Sequence, residues 1–281
     1  MATRILIDST TDLTPDIKAQ MTVVPLTIHF GEEEYLDGVT MDGQQFYEKL
    51  VESDVLPTTS QATPFVFQKI FEEIVEAGDS VVAITISSNL SGTYQSASIA
   101  AQDFPGKVFV IDSRNVSIAA GVLAEYALRL AQKGMEAELI AEAVTAKREE
   151  VQLVAMLDTL EYLKKGGRIS KTAAVAGSLL SIKPVVTLKD GGVSVMGKAR
   201  GSRQANNMLV QEIEKAGGVD FDEPLLLGYT GLNDALLQKY IADSQKLWQD
   251  HLTALPTTLI GSVVGTYAGP GAVGVAFFAK K

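Results

Sequence analysis

The sequence predicts an α/β protein of two domains, divided near residue 150 into 1–150 and 151–281. The N-terminal domain is expected to hold a mostly parallel sheet with helices on both faces, and the C-terminal one a mixed α/β arrangement. Three observations carry this reading. The first half alternates short, continuous apolar runs with helical stretches, the rhythm of a parallel sheet covered on both sides. Past residue 150 that rhythm breaks, and Lys189-Asp190-Gly191-Gly192 between two apolar runs signals a hairpin. Finally, 281 residues are long for one core and comfortable for two, against ~150 residues per domain.

Taken in order, Arg4-Ile5-Leu6-Ile7 reads as a strand ending in the polar turn Asp8-Ser9-Thr10-Thr11-Asp12, and residues 23–30 as a second strand. Asp42 starts a helix through Glu52, and Thr63-Pro64 places a cap residue and an N1 proline before a helix that Gly78 stops. Strands at 81–86 and 107–111 flank a helix over 92–103, and helices follow over 116–133 and 138–150. In the second half, a strand at 151–156 precedes a short helix over 159–165, a small-residue helix over 171–180, and hairpin strands at 182–188 and 193–198. A helix over 204–216, a strand at 224–229 and a helix over 234–248 come next. From Leu252 to Ala279 the chain is uncharged and long enough to span a bilayer. Pro256, Gly261, Gly265 and Gly269-Pro270-Gly271 interrupt it, however, so two buried strands around a glycine-rich loop are expected, with no stable membrane insertion.

Composition narrows the function classes. Hydrophobic residues make up 46% and charged residues 21%, ordinary values for a globular chain. The net charge of −10 argues against nucleic acid, whose binding rests on lysines and arginines neutralising phosphates. Zero cysteines exclude disulfides, thiolate metal sites and a thiol nucleophile, which fits a cytoplasmic location. The start, MATRILIDST, lacks a charged n-region followed by an apolar stretch, so no signal peptide is expected. No nucleotide-binding fingerprint follows the first strand, and no cofactor, metal or catalytic residue is assigned. His29 and His251 have no catalytic partner nearby in sequence and read as structural.

Polar stretches stand out against this background. Asp8 and Asp12 follow the first strand, where open α/β sheets bind ligands, although a turn whose Asp and Ser side chains bond the backbone is the favoured reading. Residues 57–63, Pro-Thr-Thr-Ser-Gln-Ala-Thr, read as a loop into a helix; residues 87–93, Ser-Ser-Asn-Leu-Ser-Gly-Thr, leave a strand for another. Both bring hydroxyls to the unpaired N–H groups of a helix N-terminus, a place that favours a carboxylate or phosphate. Ser91 alone would be a cap, but two such loops suggest a shared anion site. Lys164-Lys165-Gly166-Gly167-Arg168 and the set Lys198, Arg200 and Arg203 are basic clusters in an acidic protein. Arg168, held after two glycines, is placed as a reader of carboxylate or phosphate.

Together these motifs resemble a known family. Asp8-Ser9, Thr59-Ser60-Gln61, Ser91-Gly92-Thr93-Tyr94, Gly166-Gly167-Arg168-Ile169 and Gly269-Pro270-Gly271-Ala272 occur in that order in DegV-type proteins, bacterial fatty-acid-binding proteins that include the acyl-carrying FakB-type subunits of fatty acid kinase. The resemblance covers nearly the whole chain. It implies a two-domain α/β fold with a long-chain fatty acid buried near the domain junction and its carboxylate bound by the hydroxyls of Thr59 and Ser91. It also implies that Arg168 and Arg200 serve the phosphorylated head group or docking of the partner kinase, which binds the ATP and makes the acyl-phosphate. Many relatives carry a histidine two residues before Gly-Pro-Gly-Ala, where this chain has Tyr267, a further head-group candidate. On this reading the protein is a carrier and not itself an enzyme. The competing readings are a free-standing phosphotransferase or hydrolase using the same hydroxyl loops, and a lipid-sensing transcription regulator. The absence of a phosphate fingerprint or an evident base disfavours the first of these, and the acidic balance the second.

Overall fold

The computed structural model describes residues 2–169 and 182–280, so the helix expected over 171–180 lies outside the described residues. In chain order the elements are β1 (Thr3–Asp8), α1 (Pro15–Lys18), β2 (Thr22–Val24), β3 (Thr27–Phe30), β4 (Glu33–Leu36), α2 (Gly43–Glu52), β5 (Thr58–Ser60) and α3 (Pro64–Glu76). Then come β6 (Ser80–Thr85), α4 (Thr93–Ala101), β7 (Val108–Asp112), α5 (Ile118–Gln132), α6 (Ala137–Lys147), β8 (Val151–Met156) and α7 (Glu161–Lys165). The rest are β9 (Ile182–Lys189), β10 (Gly192–Arg200), α8 (Gly201–Lys215), β11 (Leu226–Tyr229), α9 (Ala235–Asp243), β12 (Thr257–Leu259), α10 (Ser262–Ala268) and β13 (Val273–Phe278).

The parallel sheet has the order β2-β1-β6-β7. Because strand side chains alternate, each strand serves two cores. Ile5, Ile7, Val82 and Ile84 face α5 and α6, while Leu6, Val81 and Ala83 face α3 and α4. A six-stranded sheet, β10-β9-β8-β13-β11-β12, is antiparallel except at β11–β12. It divides its side chains in the same way. Val275, Phe277 and Leu227 pack under α8 and α9, and Ala276, Phe278 and Leu226 pack on α5. Helix α5 is therefore shared by both sheets, and its residues from Ile118 to Ala124 are all buried. At Gly121 the β1 turn comes so close that a Cβ would overlap the Asp12 carbonyl oxygen.

Several local expectations hold and others are corrected. Asp42 caps α2 in a reciprocal box: its carboxylate accepts the Gln45 N–H at 2.8 Å, and the Gln45 side chain accepts the Asp42 N–H at 3.0 Å. The hairpin β9–β10 forms around Asp190-Gly191. The single strand expected over 23–30 is two strands in different sheets. The break falls at Pro25-Leu26, where proline offers no N–H and the Ser9 hydroxyl takes the Leu26 N–H at 3.1 Å. Strand β3 instead centres a small antiparallel sheet, β4-β3-β5, so the stretch read as a loop at 57–63 contains a strand. In the uncharged segment 252–279, the residues between the two strands form helix α10, and Val263 packs on Phe46 and Tyr47 of α2. Among the described residues no helix is long and apolar enough to cross a membrane.

Gly121→Ala should lower unfolding free energy by about 1–3 kcal/mol through overpacking, because the methyl meets backbone that cannot rotate away. Urea denaturation midpoints would check this, and a midpoint equal to the parent's would contradict the close packing of α5.

Candidate binding site

Between the two sheets lies a cavity of about 400 Å³. Its walls are aliphatic: Ile86, Val116 and Ile118 come from the parallel unit, and Leu153, Ala155 and Val273 from the mixed sheet. Helix α10 adds Val263 and Val264, and the hairpin adds Val186 and Val193. Thr10 and Ser117 also reach the cavity, but their hydroxyls are already donated, to Asp8 at 2.5 Å and to Asp12 at 2.6 Å.

The remaining polar residues of the lining are Thr59, Ser60, Gln61, Ser91, Arg168 and Tyr267, and Thr59, Tyr267 and Arg168 meet at one corner beside the Leu90-Ser91 backbone. Thr59 sits on β5 opposite Ile28, whose burial fixes that face of the strand inward. Its hydroxyl bonds the Tyr267 hydroxyl from α10 at 2.7 Å. The Arg168 guanidinium stacks over the Tyr267 ring at 4.6 Å and is held by two carbonyls, Leu90 at 3.3 Å and Gly166 at 2.6 Å. Ser91 follows Leu90. Helix α4 is capped by Gly92 and not by Ser91, and the Ser91 hydroxyl bonds that of Thr93 at 2.9 Å.

These pairings leave protons available. In a hydroxyl–hydroxyl pair only one of the two O–H groups donates to the other, so each pair keeps one free donor. Among the described residues, Thr59 with Tyr267 leaves one and Ser91 with Thr93 another. Among the described residues Arg168 gives two of its five side-chain N–H groups to carbonyls. The corner can thus hold an acidic group while the cavity takes an apolar chain.

The carboxylates after β1 turn out to be structural anchors. Asp8 accepts the Thr10 N–H at 3.0 Å and the Ile86 N–H at 2.7 Å, which ties the ends of β1 and β6 together. Asp12 accepts the Ser117 hydroxyl and, at 2.8 Å, the N–H of Gly261. Asp37, buried beside it, accepts the Ser262 N–H at 3.3 Å. Two carboxylates therefore hold the N-terminal amides of α10, a favourable place for negative charge, and the far end of that helix carries Tyr267. Burial raises all three acids, Asp12 to about 6, against partial relief from Lys18 and their hydrogen bonds. Ser117 makes its bond from a strained backbone, φ 59° and ψ −136°.

Of the residues singled out by sequence, Thr59, Ser91, Arg168 and Tyr267 come together, and Arg200 does not. Arg200 is exposed at the start of α8, where its N–H bonds Gln204 at 2.7 Å. Thr59 stands in a strand and not at a helix N-terminus, which corrects the loop reading. His29 bonds Ser60 at 2.8 Å and approaches Glu34 at 3.4 Å, but strand alternation turns Ser60 to the face opposite Thr59. His251 stacks on Phe221 at 4.0 Å. Sequence reasoning missed Asp37 and Ser117, since Asp37-Gly38 looks like any exposed turn and nothing local marks Ser117.

Fold and site together define an α/β protein of two large sheets and one small one, with an aliphatic cavity lined at one corner by hydroxyls and one guanidinium. A family model described as an uncharacterised protein of the DegV family matches residues 2–280, and the chain belongs to that family. A DegV domain-containing protein of Caldanaerobacter subterraneus subsp. tengcongensis is 36% identical over 283 residues, covering 99% of this chain and 98% of that protein. Among solved structures, one described as showing fatty-acid binding by a DegV family protein of Thermus thermophilus matches with a TM-score of 0.89 at 30% identity over 100% of both chains. A stearic-acid-binding protein of Eubacterium ventriosum matches at 0.85 and 28% over 97% of both. DegV of Bacillus subtilis, described as a fatty-acid-binding protein, matches at 0.83 and 27% over 100% of both.

A buried acid with a raised pKa binds a proton in the folded chain before it does in the unfolded one. Between about pH 4 and 6 Asp12 should therefore make stability fall as pH rises. Asp12→Asn removes that contribution. Denaturation of parent and variant at pH 4.5 and 7 should show the parent losing more, or gaining less, on going to pH 7. Parallel profiles would mean that Asp12 titrates normally.

Proposed function

We propose that the protein is a cytoplasmic carrier that buries a long-chain fatty acid, holds its carboxylate with hydroxyls, and presents it to a partner kinase for phosphorylation to acyl-phosphate. The observation that carries the fatty-acid reading is the aliphatic cavity with the hydroxyls of Thr59, Tyr267 and Ser91 in its lining, where the pairs Thr59–Tyr267 and Ser91–Thr93 each leave one O–H unused within the pair. A carboxylate has two oxygens to satisfy, and burying it without donors is costly. Neutral hydroxyls meet that need without a second buried charge. A sixteen-carbon chain buries ~14 methylenes at ~0.8 kcal/mol each, about 11 kcal/mol before the entropy of association and desolvation are subtracted. The fatty-acid-binding relatives support the same ligand.

The kinase half of the proposal rests on the sequence resemblance and on charge. Arg168 at the polar corner and exposed Arg200 beyond the hairpin are the cations assigned to the phosphorylated head group or to docking. The division of the chain into 1–150 and 151–281 belongs to the same proposal, with the ligand between the two parts. No catalytic residue is needed in the carrier itself, because ATP and phosphoryl transfer reside in the partner.

Lipid extraction and native mass spectrometry of the purified protein should find a bound acyl chain. No extracted lipid together with no uptake of palmitate or oleate would end the fatty-acid reading. Incubation with a fatty acid kinase and ATP tests the second half, and a bound acid left unphosphorylated would remove it.

Ser91→Ala should weaken fatty-acid binding by about 1.5–3 kcal/mol, the usual worth of a hydrogen bond to a charged group. Tyr267→Phe and Thr59→Ala should each weaken it too, and their double variant should cost less than the sum, because the two hydroxyls share one free proton. Titration of the set with a fluorescent fatty acid gives the cycle. Additive losses would separate Thr59 from Tyr267.

A further inference from the structure

The loop that carries Ser91 is built against the tip of the β9–β10 hairpin. Ser87 is the root of that loop: its N–H bonds Asn115 at 2.9 Å, and its carbonyl accepts the N–H groups of Leu90 at 3.0 Å and Ser91 at 3.1 Å. The hairpin turn is Asp190-Gly191, with φ of 51° and 77°, the left-handed pair that a two-residue turn requires. It presses on the loop at two points. The Asn89 side-chain amide donates to the Asp190 carbonyl. Gly191 lies so near that a Cβ would overlap the Ser87 hydroxyl and stand 3.4 Å from Asn89 Nδ2. Gly192, the next residue, faces nothing nearer than the Lys189 carbonyl at 3.7 Å.

Given the fatty-acid reading on which this rests, we infer that Gly191 and Asn89 are positioning residues for the carboxylate site, setting where Ser91 stands through Ser87. The two groups touch no part of the cavity themselves. Their effect passes along a short path: turn against Ser87 and Asn89, Ser87 carbonyl to Ser91 N–H, Ser91 hydroxyl to ligand. The hairpin belongs to the mixed sheet and the loop to the parallel one, so the contact also fixes how the second sheet meets the head-group corner of the first.

The test measures palmitate affinity and urea midpoints for Gly191→Ala, Gly192→Ala, Asn89→Ala and the double variant Ser87→Ala/Gly191→Ala. Gly191→Ala should weaken binding about tenfold or more, as expected when one hydrogen bond to a carboxylate is lost. Gly192→Ala should bind as the parent does. Removing the Ser87 hydroxyl in the double variant should recover most of the loss, although the left-handed strain at residue 191 remains. A loss that Ser87→Ala does not relieve, or an equal loss in Gly192→Ala, overturns the inference, since both would indicate a weakened turn and not a displaced loop. Should Gly191→Ala fail to fold, Asn89→Ala decides: unchanged affinity overturns the inference and a several-fold loss supports it. A parent that binds no palmitate removes the fatty-acid reading and this inference with it. A parent that binds, alongside a Gly191→Ala that binds equally well, removes this inference alone.

Discussion

Everything in this fold depends on one helix being buried between two sheets. Helix α5 packs the parallel sheet on one side and the mixed sheet on the other, and has no solvent face from Ile118 to Ala124. That constraint explains the small residues of its first turns, Ala119, Ala120, Gly121 and Ala124. It also defines the cavity. Ile118 lines the cavity and lies against β11 and β13, where a Cβ at Gly228 would stand 2.9 Å, and one at Gly274 3.3 Å, from its side chain. Structural core and cavity therefore share a wall.

The polar groups inside that core differ in their partners. Some hydroxyls and amides that serve the architecture are committed to a carboxylate, as with Thr10 on Asp8, Ser117 on Asp12 and the first amides of α10 on Asp12 and Asp37, and others to a backbone carbonyl, as with Thr230 on Gly269 and Tyr47 on Ile260. Where hydroxyls meet one another instead, as in Thr59–Tyr267 and Ser91–Thr93, one proton of the pair is not used within it, and Thr59, Tyr267 and Ser91 line the cavity. The buried carboxylates thus hold the frame, and the hydroxyl pair Thr59–Tyr267 lies apart from them, beside the Arg168 guanidinium.

The sequence made the larger features legible because they follow local periodicity. Apolar runs such as Val81 to Thr85 announce buried parallel strands, Asp42 with Gln45 announces a helix start, and Asp190-Gly191 announces a turn. What stayed hidden depends on partners distant in the chain. Strands β4 and β5 are four and three residues long and exist through pairing with β3. Helix α10, with its valines and glycine, has weak intrinsic helical preference, and the carboxylates that hold its start stand 249 and 225 residues away. The motifs named Thr59, Ser91, Arg168 and Tyr267 as a group, but the bond between Thr59 and Tyr267 spans 208 residues and has no local signature. The outlying position of Arg200 was equally invisible, since a basic cluster in sequence does not say which surface it occupies.

The strand order of the mixed sheet has a consequence for synthesis. Strand β13, at residues 273–278, lies between β8 and β11, both of which leave the ribosome earlier. Until it arrives, β8 and β11 each present an open edge, and Leu226 and Leu227 lack their neighbours on β13. Such edges invite pairing with other chains. The parallel sheet, complete by residue 112, can form while the rest is still being translated. Maturation of this protein is then split in time: the strands of the parallel sheet are all made early, but the core around α5 stays incomplete until Leu226, Ala276 and Phe278 reach it, and the mixed sheet closes only with the arrival of its central strand. Slow elongation or an arrest before residue 273 would lengthen the exposed interval and make the nascent chain a client for chaperones that cover strand edges.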